Sequence, residues 1–518
     1  MRLPCPSRGS PPAHSPWPPA LRWAVLALVA LGVAWRLLRY LLQFPVWGDE
    51  AYVCLNFLDR DLLGLTRPLR YVQVAPLLFL WTEWTICHLL GGSELALRLV
   101  PLLAGGAALG LFVPLARRML DPLAAALAVG LLAVSYYPVR HSCEIKPYSL
   151  DLLLAVALLL AAWSWLRRPE RVAPLIALVL LGPLALALSY PSLFIAGAVS
   201  LVLLPAVWRQ PGWAARVLYL AYNVLLVGGF ILLYGVVGRA QYGSTGGAGN
   251  WYWQGSFPPP QPVALLAWLV QIHTGYLMAY PLGGPNGLST LTFLLFVIGT
   301  GRLVRERHWQ LLALCLVPFA LTLAAAALHR YPYGGSARIA QHLAPAICLL
   351  AGNGLGGLLR AARPAAAARW GLAVCGLLLL VGLGGVARDW LRPYKTEGDL
   401  KVRALVAELF REAGPADQIV VLNDAQVGKG ATFEWYLRQQ QERITWDGHI
   451  AWDRLPGESG TLWLVCFSHD AASQARQLSG PPGYRLVLVS HAQHQVQLGK
   501  SEDTLEYCEL FRWQCTRE

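Results

Sequence analysis

The chain alternates long apolar runs with short polar stretches over its first 390 residues. Most of the runs approach or exceed the 20 or so residues that a helix needs to cross the hydrocarbon core of a bilayer. The pattern therefore predicts a polytopic α-helical membrane protein. About 11 transmembrane helices are expected, at 21–42, 95–116, 122–138, 147–166, 172–189, 192–208, 215–237, 286–303, 309–328, 338–359 and 367–387.

A different pattern begins near residue 395. An amphipathic run and a buried apolar one predict a helix at 398–413 and a strand at 418–422, and later runs predict a helix at 431–440 and strands at 461–467 and 485–490. We therefore expect three parts: a disordered cytoplasmic N-terminus rich in Pro and Ser (1–20), a transmembrane domain (21–390) and a small extracytoplasmic α/β soluble domain (395–518).

The composition supports a membrane protein. Of 518 residues, 56% are hydrophobic and 14% are charged, and the mean hydropathy is +0.46. A soluble domain has about 25% charged residues, so a water-soluble enzyme of this size is excluded. Residues 1–394 have a net charge of +17 and residues 395–518 have −4. The positive excess lies beside apolar runs. There it indicates how the chain is oriented in the membrane, and it does not predict binding of nucleic acid.

The apolar segment 71–90 decides the topology. If it lies along the outer interface as an interfacial helix, one orientation places five basic loops inside, as the positive-inside rule favours. These loops contain Arg117–Arg118; Arg167, Arg168 and Arg171; Arg209 and Arg216; Arg302, Arg305 and Arg307; and Arg360, Arg363 and Arg369. We therefore expect a multi-pass protein of the plasma (inner) membrane with a cytoplasmic N-terminus.

Four segments then lie outside: 43–94, 138–147, 238–285 and 329–338. The third contains GSTGGAGN followed by WYWQGSFPPPQP. A Gly-rich stretch followed by an aromatic, Pro-stiffened one is typical of a lid, but it fits an aromatic anchor at the membrane surface equally well.

The first outer segment opens with WGDEAY at 47–52, which places two adjacent carboxylates, Asp49 and Glu50, where the chain leaves the membrane. Ionisable groups near hydrocarbon are costly and are therefore often functional. A carboxylate here could take a proton from an acceptor or hold a metal. The alternative is a solvated turn that caps the next helix.

The second and third outer motifs carry cations. RHSCEIKPY at 140–148 supplies Arg140, Glu144 and Lys146, and HRYPYGGSAR at 329–338 is followed by His342. Arg338 and His342 are four residues apart, so on an α-helix they share a face that could clamp a phosphate. Ordinary loop charge and interfacial anchoring are the competing interpretations.

The ten cysteines are scattered without a C-x-x-C pair, which supports neither a zinc site nor a redox motif. Cys508 and Cys515 could form a disulfide if the tail faces an oxidising compartment.

The motifs together resemble a known family. GDEAY after the first span, SELALRLVPLLAGGAALGLFVPLARRML at 93–120, YYPVRHSCEIKPYSLDLLL at 136–154 and YPYGGSARIAQHLAP at 331–345 resemble the integral-membrane C-type glycosyltransferases. The branch is similar to the one that contains protein O-mannosyltransferases, the lipid A aminoarabinose transferase and their bacterial relatives. The resemblance extends over residues 21–390.

The resemblance implies transfer of a sugar, with inversion, from a polyprenyl-phosphate donor to an acceptor glycan, lipid or protein on the outer leaflet. It implies that Asp49 is the catalytic base, that Glu50 contacts the acceptor or a metal, and that Glu144 is the second acidic residue. Lys146, Arg338, His342 and Arg140 would face the lipid phosphate. Relatives often have Glu-x-Arg-Pro-Tyr where this chain has EIKPY, so Lys146 keeps the charge without the bidentate fork of arginine.

The sequence identifies no cofactor and leaves open whether a divalent metal assists. A polytopic transporter or lipid flippase is the alternative class. It would place ionisable residues at the bilayer midplane, whereas the acidic residues here gather at the outer ends of the spans.

Overall fold

A computed structural model describes the chain over 17–244, 253–362, 364–392, 397–415, 417–422, 430–440, 444–445, 459–466, 469–480, 482–497 and 505–517. Most of the segment predicted to be a disordered N-terminus (1–20) lies outside these ranges, and the first helix begins at Pro19.

Helices dominate the first 391 residues. In chain order they are α1 (Pro19–Leu41), α2 (Gly48–Asp59), α3 (Leu77–Leu90), α4 (Glu94–Leu97), α5 (Leu99–Met119), α6 (Pro122–Ala133), α7 (Tyr136–His141), α8 (Tyr148–Arg167), α9 (Ala173–Leu188), α10 (Ser192–Trp208), α11 (Trp213–Leu233), α12 (Arg239–Ser244), α13 (Pro262–His273), α14 (Thr290–Arg305), α15 (Trp309–Ala327), α16 (Ala344–Ala362) and α17 (Ala367–Leu391).

Seven of the described helices, taken with the short turns continuous with them, are long and apolar enough to cross a membrane. They are Pro19–Leu41, Glu94–Met119, Tyr148–Arg167, Trp213–Tyr242, Trp309–Ala327, Ala337–Ala362 and Pro364–Leu391. The chain is a multi-pass membrane protein with at least these candidate spans.

The other four predicted spans correspond to α6, α9, α10 and α14, which have 12 to 17 residues. Such helices cover only about 18–26 Å, less than the thickness of the hydrocarbon core. Each packs against a longer helix: α6 and α14 against α16, α9 against α11, and α10 against α15. The number of eleven spans is therefore not confirmed.

The chain leaves and re-enters the helix bundle at one end between α1 and α5. The hydroxyl of Tyr40 near the end of α1 donates to the carbonyl of Leu95 at 2.7 Å, just before α5 begins. Helix α3 lies between them, and its 14 residues span only about 21 Å. Segment 71–90 therefore does not cross the bundle, and its place along the outer interface stays a prediction. We call this end of the bundle the site end.

Basic loops meet at the opposite end. Arg360 binds Asp121 through two bonds of 2.5 and 2.7 Å, and Arg302 lies 3.7 Å from the same carboxylate. Two of the five loops that the positive-inside rule assigns to one side are thus in contact through one acidic residue.

Close backbone contact holds the short helix α14 against α16. A Cβ added at Gly299 would lie 1.9 Å from the carbonyl oxygen of Leu350, and one added at Gly354 would lie 2.0 Å from the carbonyl oxygen of Leu295. Only glycine at these two positions permits the observed helix crossing, since small residues allow the backbones to approach.

The C-terminal part begins with α18 (Glu397–Glu412) and forms one five-stranded sheet with two further helices. Its elements are β1 (Gln418–Leu422), α19 (Gly430–Gln440), β2 (Ile444–Thr445), β3 (Ser459–Cys466), α20 (His469–Arg476), β4 (Tyr484–Gln497) and β5 (Leu505–Arg517), with strand order β2-β1-β3-β5-β4. The first three strands are parallel, and β5 pairs antiparallel with β3 and β4. The predicted strand at 418–422 has the observed bounds, whereas β5 was not predicted.

The disulfide considered for Cys508 and Cys515 is wrong. Both cysteines lie in β5 and have free, buried thiols. Seven residues of strand separate their Cα atoms by about 23 Å and place the two side chains on opposite faces, whereas a disulfide requires Cα atoms within about 7 Å.

Glycine 299 provides a test of the packing of α14. Gly299→Ala should lower the free energy of unfolding by about 1–3 kcal/mol because its methyl group overlaps the backbone of α16. Thermal unfolding of the detergent-solubilised chain measures the effect. Gly301→Ala on the same helix is the matched control, because an added Cβ there meets nothing within 4 Å. Equal stability of the two variants would contradict the described crossing.

Candidate active site

The three outer motifs meet at the site end through Asp49. Helix α2 begins at Gly48, so Asp49 and Glu50 lie in its first turn, where backbone N–H groups favour negative charge. The Oδ1 atom of Asp49 is 3.3 Å from Nζ of Lys146, and its Oδ2 atom accepts from Nη1 of Arg338 at 2.8 Å. One carboxylate thus binds two cations that are 192 residues apart in the chain.

The surroundings keep Asp49 ionised. Burial opposes the charge of the carboxylate, but the attraction of Lys146 and Arg338 is stronger in sum, and the pKa of Asp49 lies below its ordinary value. The side chain keeps 22% exposure, compared with 7% for Lys146. Asp49 is therefore a charged and partly accessible carboxylate.

Glu50 has a different environment from the one expected for a group that contacts acceptor or metal. It is fully buried and forms bonds of 2.6 and 3.2 Å to the guanidinium of Arg98. It also accepts from the backbone N–H groups of Ile145 at 2.8 Å and Trp47 at 3.2 Å. These bonds engage both of its oxygens and connect α2 to the second motif.

The second motif forms a compact charged group of its own. Glu144 accepts from Nε of Arg140 at 2.5 Å, and its other oxygen is 2.8 Å from Nδ1 of His141. Burial opposes ionisation, but these two partners outweigh it and hold the pKa of Glu144 well below its ordinary range. Arg140 also lies over the ring of Trp47, 5.8 Å from its centroid. Arg140 and Glu144 are thus paired with each other beside the Asp49 cluster.

In the third motif, the side chains of Arg338 and His342 lie on different faces of one short helix. Residues Ala337–Leu343 form a 3₁₀-helix, in which each residue advances by about 120°. Residues four apart therefore do not share a face, and the predicted common face of Arg338 and His342 is wrong. Arg338 reaches Asp49, whereas His342 is buried in the bundle with Nε2 3.1 Å from the hydroxyl of Thr322.

Two glycines allow the turn before Arg338. Gly334 and Gly335 have φ of +65° and +70°, values that residues with a Cβ rarely adopt. A Cβ at Gly335 would also lie 2.1 Å from the hydroxyl of Ser256. The turn therefore packs against the aromatic segment of the third outer loop.

That aromatic segment lies directly on the cluster. The guanidinium of Arg338 is 5.0 Å from the ring centroid of Trp253, and the carbonyl of Ser256 accepts from the backbone N–H of Tyr333 at 2.8 Å. The preceding GSTGGAGN stretch lies outside the described residues. The described part of the loop therefore contacts both Arg338 and the turn before it.

Sequence reasoning missed two residues of the site, Arg98 and Gln73, and it singled out the segment that contains Trp253 only as a lid or an aromatic anchor. Gln73 accepts from Nζ of Lys146 at 2.8 Å. Arg98 was detectable in principle, since a lone arginine at the start of an apolar span needs a carboxylate partner. No local pattern distinguishes Gln73, because its contact is made by the fold.

The donor set does not fit a divalent metal. Asp49 is bound to two cations, and Glu144 is bound to an arginine and an imidazole. Within the described ranges, no group of three or more His, Cys, Asp or Glu side chains is placed to hold a metal ion.

Comparisons with known proteins found one family model and several similar solved structures. The family model of dolichyl-phosphate-mannose-protein mannosyltransferases matches residues 74–234. The structure is similar to that of ArnT from Cupriavidus metallidurans bound to undecaprenyl phosphate, with 14% identity, a TM-score of 0.59, and coverage of 95% of this chain and 98% of that one. The apo state of the same protein gives 14% identity and a TM-score of 0.56 at the same coverage. The oligosaccharyltransferase AglB from Archaeoglobus fulgidus, in complex with an inhibitory peptide and a dolichol-phosphate, gives 12% identity, a TM-score of 0.45, and coverage of 86% and 69%.

No curated protein matches the sequence significantly. The fold is similar to that of ArnT, and the resemblance indicated by the motifs is confirmed over the segment that the family model matches. The chain is mannosyltransferase-like over the matched segment and ArnT-like in overall fold.

The buried pair of Glu50 and Arg98 gives a stability prediction. Arg98→Met should lower the free energy of unfolding by about 3–5 kcal/mol, because it leaves Glu50 buried without its counter-charge. Adding Glu50→Leu to Arg98→Met should recover part of the loss. Thermal unfolding followed by tryptophan fluorescence measures both variants. A single variant as stable as wild type would contradict the described pair.

Proposed function

We propose that the chain is a glycosyltransferase that moves a sugar from a polyprenyl-phosphate-linked donor to an acceptor at the outer face of the membrane, with inversion at the anomeric carbon. The observation that carries this proposal is the carboxylate of Asp49 held between Lys146 and Arg338. The reaction needs a base and fixed cations within a few ångströms of each other, and this cluster supplies both.

The chemistry assigns the cations to the leaving group. A polyprenyl phosphate leaves as an anion, so little general-acid catalysis is required, and cations must stabilise the charge that develops on its oxygens. Lys146 and Arg338 are placed to do so. Their ammonium and guanidinium groups lie at the site end, beside the apolar helices along which a polyprenyl chain would extend.

The acceptor must lose a proton as the new bond forms, which requires a base near the anomeric carbon. Asp49 is the proposed base because it is ionised and partly exposed. Inversion follows if the acceptor attacks from the face opposite the departing phosphate in a single displacement.

The other predicted site residues take supporting roles. Glu50 positions α2 through Arg98 and Ile145. Glu144 and Arg140 form an ion pair that shapes the wall of the site, and Arg140 is proposed to contact the phosphate only secondarily. His342 is not part of the proposed phosphate clamp, because it is buried against Thr322.

Buried charges favour the transferase over a transporter. Within the described spans, the buried charged residues of α1, α8 and α17 lie in the first or last two turns of each helix, at the site end: Arg36, Arg39, Asp151 and Asp389. A transporter would have such groups at the bilayer midplane.

The proposal includes the orientation inferred from the basic loops. The protein lies in the plasma (inner) membrane with its site end facing outward. The N-terminus is in the cytoplasm, and residues 395–518 form an extracytoplasmic domain. The aromatic segment that begins at Trp253 acts as a lid over the donor phosphate, an assignment supported by its contact with Arg338.

Substitution of the base tests the proposal most simply. Asp49→Asn should lower the rate of sugar transfer by roughly 10²–10⁴-fold, because the amide cannot take a proton. Release of polyprenyl phosphate from labelled donors, with wild type beside the variant, measures this rate. Asp61→Asn is the matched control: its side chain is exposed, and an amide oxygen can keep the bond to the N–H of Gly64. Retained turnover by Asp49→Asn would remove Asp49 as the base.

The pH dependence tests the pairing of Asp49 with Arg338. The lowered pKa of Asp49 keeps the base active as pH falls, so activity is lost only once pH falls through that lowered pKa. Removing one cation by Arg338→Ala should raise the pKa and move the acid limb of kcat/KM upward by roughly 1 pH unit. Arg338→Lys keeps the charge and should keep the limb in place. An unmoved limb in Arg338→Ala would contradict the electrostatic pairing.

Cysteine labelling tests the orientation. Arg305 at the end of α14 and Leu400 on α18 of the C-terminal part are both exposed. We expect a membrane-impermeant maleimide added from outside to label Leu400→Cys in intact cells, and to label Arg305→Cys only after permeabilisation. The described native cysteines are all buried, which limits background labelling. The reverse pattern would overturn the proposed orientation.

A further inference from the structure

A short strained segment, Arg70–Gln73, connects the C-terminal domain to the Asp49 cluster. Tyr71 and Val72 both have left-handed backbone angles, with φ of +58° and +56°. A non-glycine residue in this region is uncommon, and a β-branched residue such as Val72 is an outlier. Such a conformation persists only where the surroundings hold it. The contacts of the segment therefore show what holds it.

The C-terminal domain holds the segment from one side. The hydroxyl of Tyr71 donates to Oε2 of Glu434 at 2.6 Å, and Nη1 of Arg70 is 3.4 Å from Oε1 of the same carboxylate. Glu434 lies on α19, and its side chain is only 5% exposed. The ring of Tyr71 also packs on Tyr52 of α2, with centroids 4.8 Å apart. One buried carboxylate of the domain thus binds two consecutive residues of the segment.

The segment holds Lys146 from the other side. The amide nitrogen of Gln73 donates to the carbonyl of Tyr71 at 3.2 Å, and the amide oxygen of Gln73 accepts from Nζ of Lys146 at 2.8 Å. The ammonium of Lys146 has its other bond to Asp49. A chain of hydrogen bonds thus links this ammonium through Gln73 and Tyr71 to Glu434.

We propose that Glu434 is a positioning residue for the transferase site: through Tyr71 and Gln73 it sets the place of Lys146 and hence the affinity for the lipid phosphate. This inference rests on the proposed function. It assigns the C-terminal domain a defined part in donor binding, which neither the sequence nor the comparisons assign.

A simple docking role for the domain makes a different prediction. Tyr436 on the same helix also binds the membrane part, since its hydroxyl donates to Glu94 at 2.8 Å and accepts from the N–H of Val46 at 2.7 Å. These bonds do not involve Arg70–Gln73. If docking alone matters, Tyr436→Phe should have the same effect as Tyr71→Phe, since each variant removes one interfacial hydroxyl.

The test measures binding of undecaprenyl phosphate to the full-length chain in nanodiscs. Glu434→Ala and Tyr71→Phe should each weaken binding roughly three- to tenfold, as loss of about one hydrogen bond would. The double variant should bind no more weakly than the more affected single variant, because both changes break the same contact between Tyr71 and Glu434. Tyr436→Phe, and Glu408→Ala at an exposed position of α18, should bind within about twofold of wild type.

Hydrogen exchange provides a second measurement that needs no ligand. Glu434→Ala should speed amide exchange across 70–75 and leave exchange in α2 unchanged. Normal binding and normal exchange in Glu434→Ala would overturn the inference, and so would equal weakening by Tyr436→Phe. If wild type binds no undecaprenyl phosphate, the proposed function fails, whereas the exchange measurement still decides whether Glu434 holds the segment.

Discussion

The ion-paired carboxylate of Asp49 organises the rest of this molecule. Its two cations come from the loop before α8 and the 3₁₀-helix before α16, while the carboxylate itself follows α1. In a chain of which only 14% is charged, bringing three charges together beside an apolar bundle requires each to compensate the others. The meeting of the three outer motifs at Asp49 supplies this compensation.

The two adjacent carboxylates of the WGDEAY motif have different roles, as the pair of Glu50 and Arg98 shows. Two adjacent carboxylates in the first turn of α2 point to different places: Glu50 is fully buried on Arg98, and Asp49 stays 22% exposed. The buried residue fixes the helix, and the fixed helix presents the exposed residue to the two cations. A buried salt bridge of this kind contributes little net stability but strongly disfavours other arrangements, because either partner alone would be an uncompensated charge.

The sequence predicted the large features because they depend on local patterns. Apolar runs mark the helices, and QIVVL marks β1 with its observed bounds. The failures involve information that is not local. The relation of Arg338 to His342 depends on a 3₁₀ rather than an α conformation. Strand β5 was missed because it contains Glu509, a charge that is buried only because His491 and Arg476 each bind it at 2.7 Å. The role of Gln73 depends on a contact with a residue 73 positions away.

Direct binding of a lipid phosphate tests the central claim that Lys146 and Arg338 form its site. Undecaprenyl phosphate should bind wild type, and Lys146→Gln or Arg338→Gln should weaken binding roughly tenfold or more, as loss of a charge-assisted contact would. Lys146→Arg, which keeps the charge, should bind nearly as well as wild type, and all three variants should bind a separate acceptor with unchanged affinity. Undiminished binding of undecaprenyl phosphate by both glutamine variants would contradict the account.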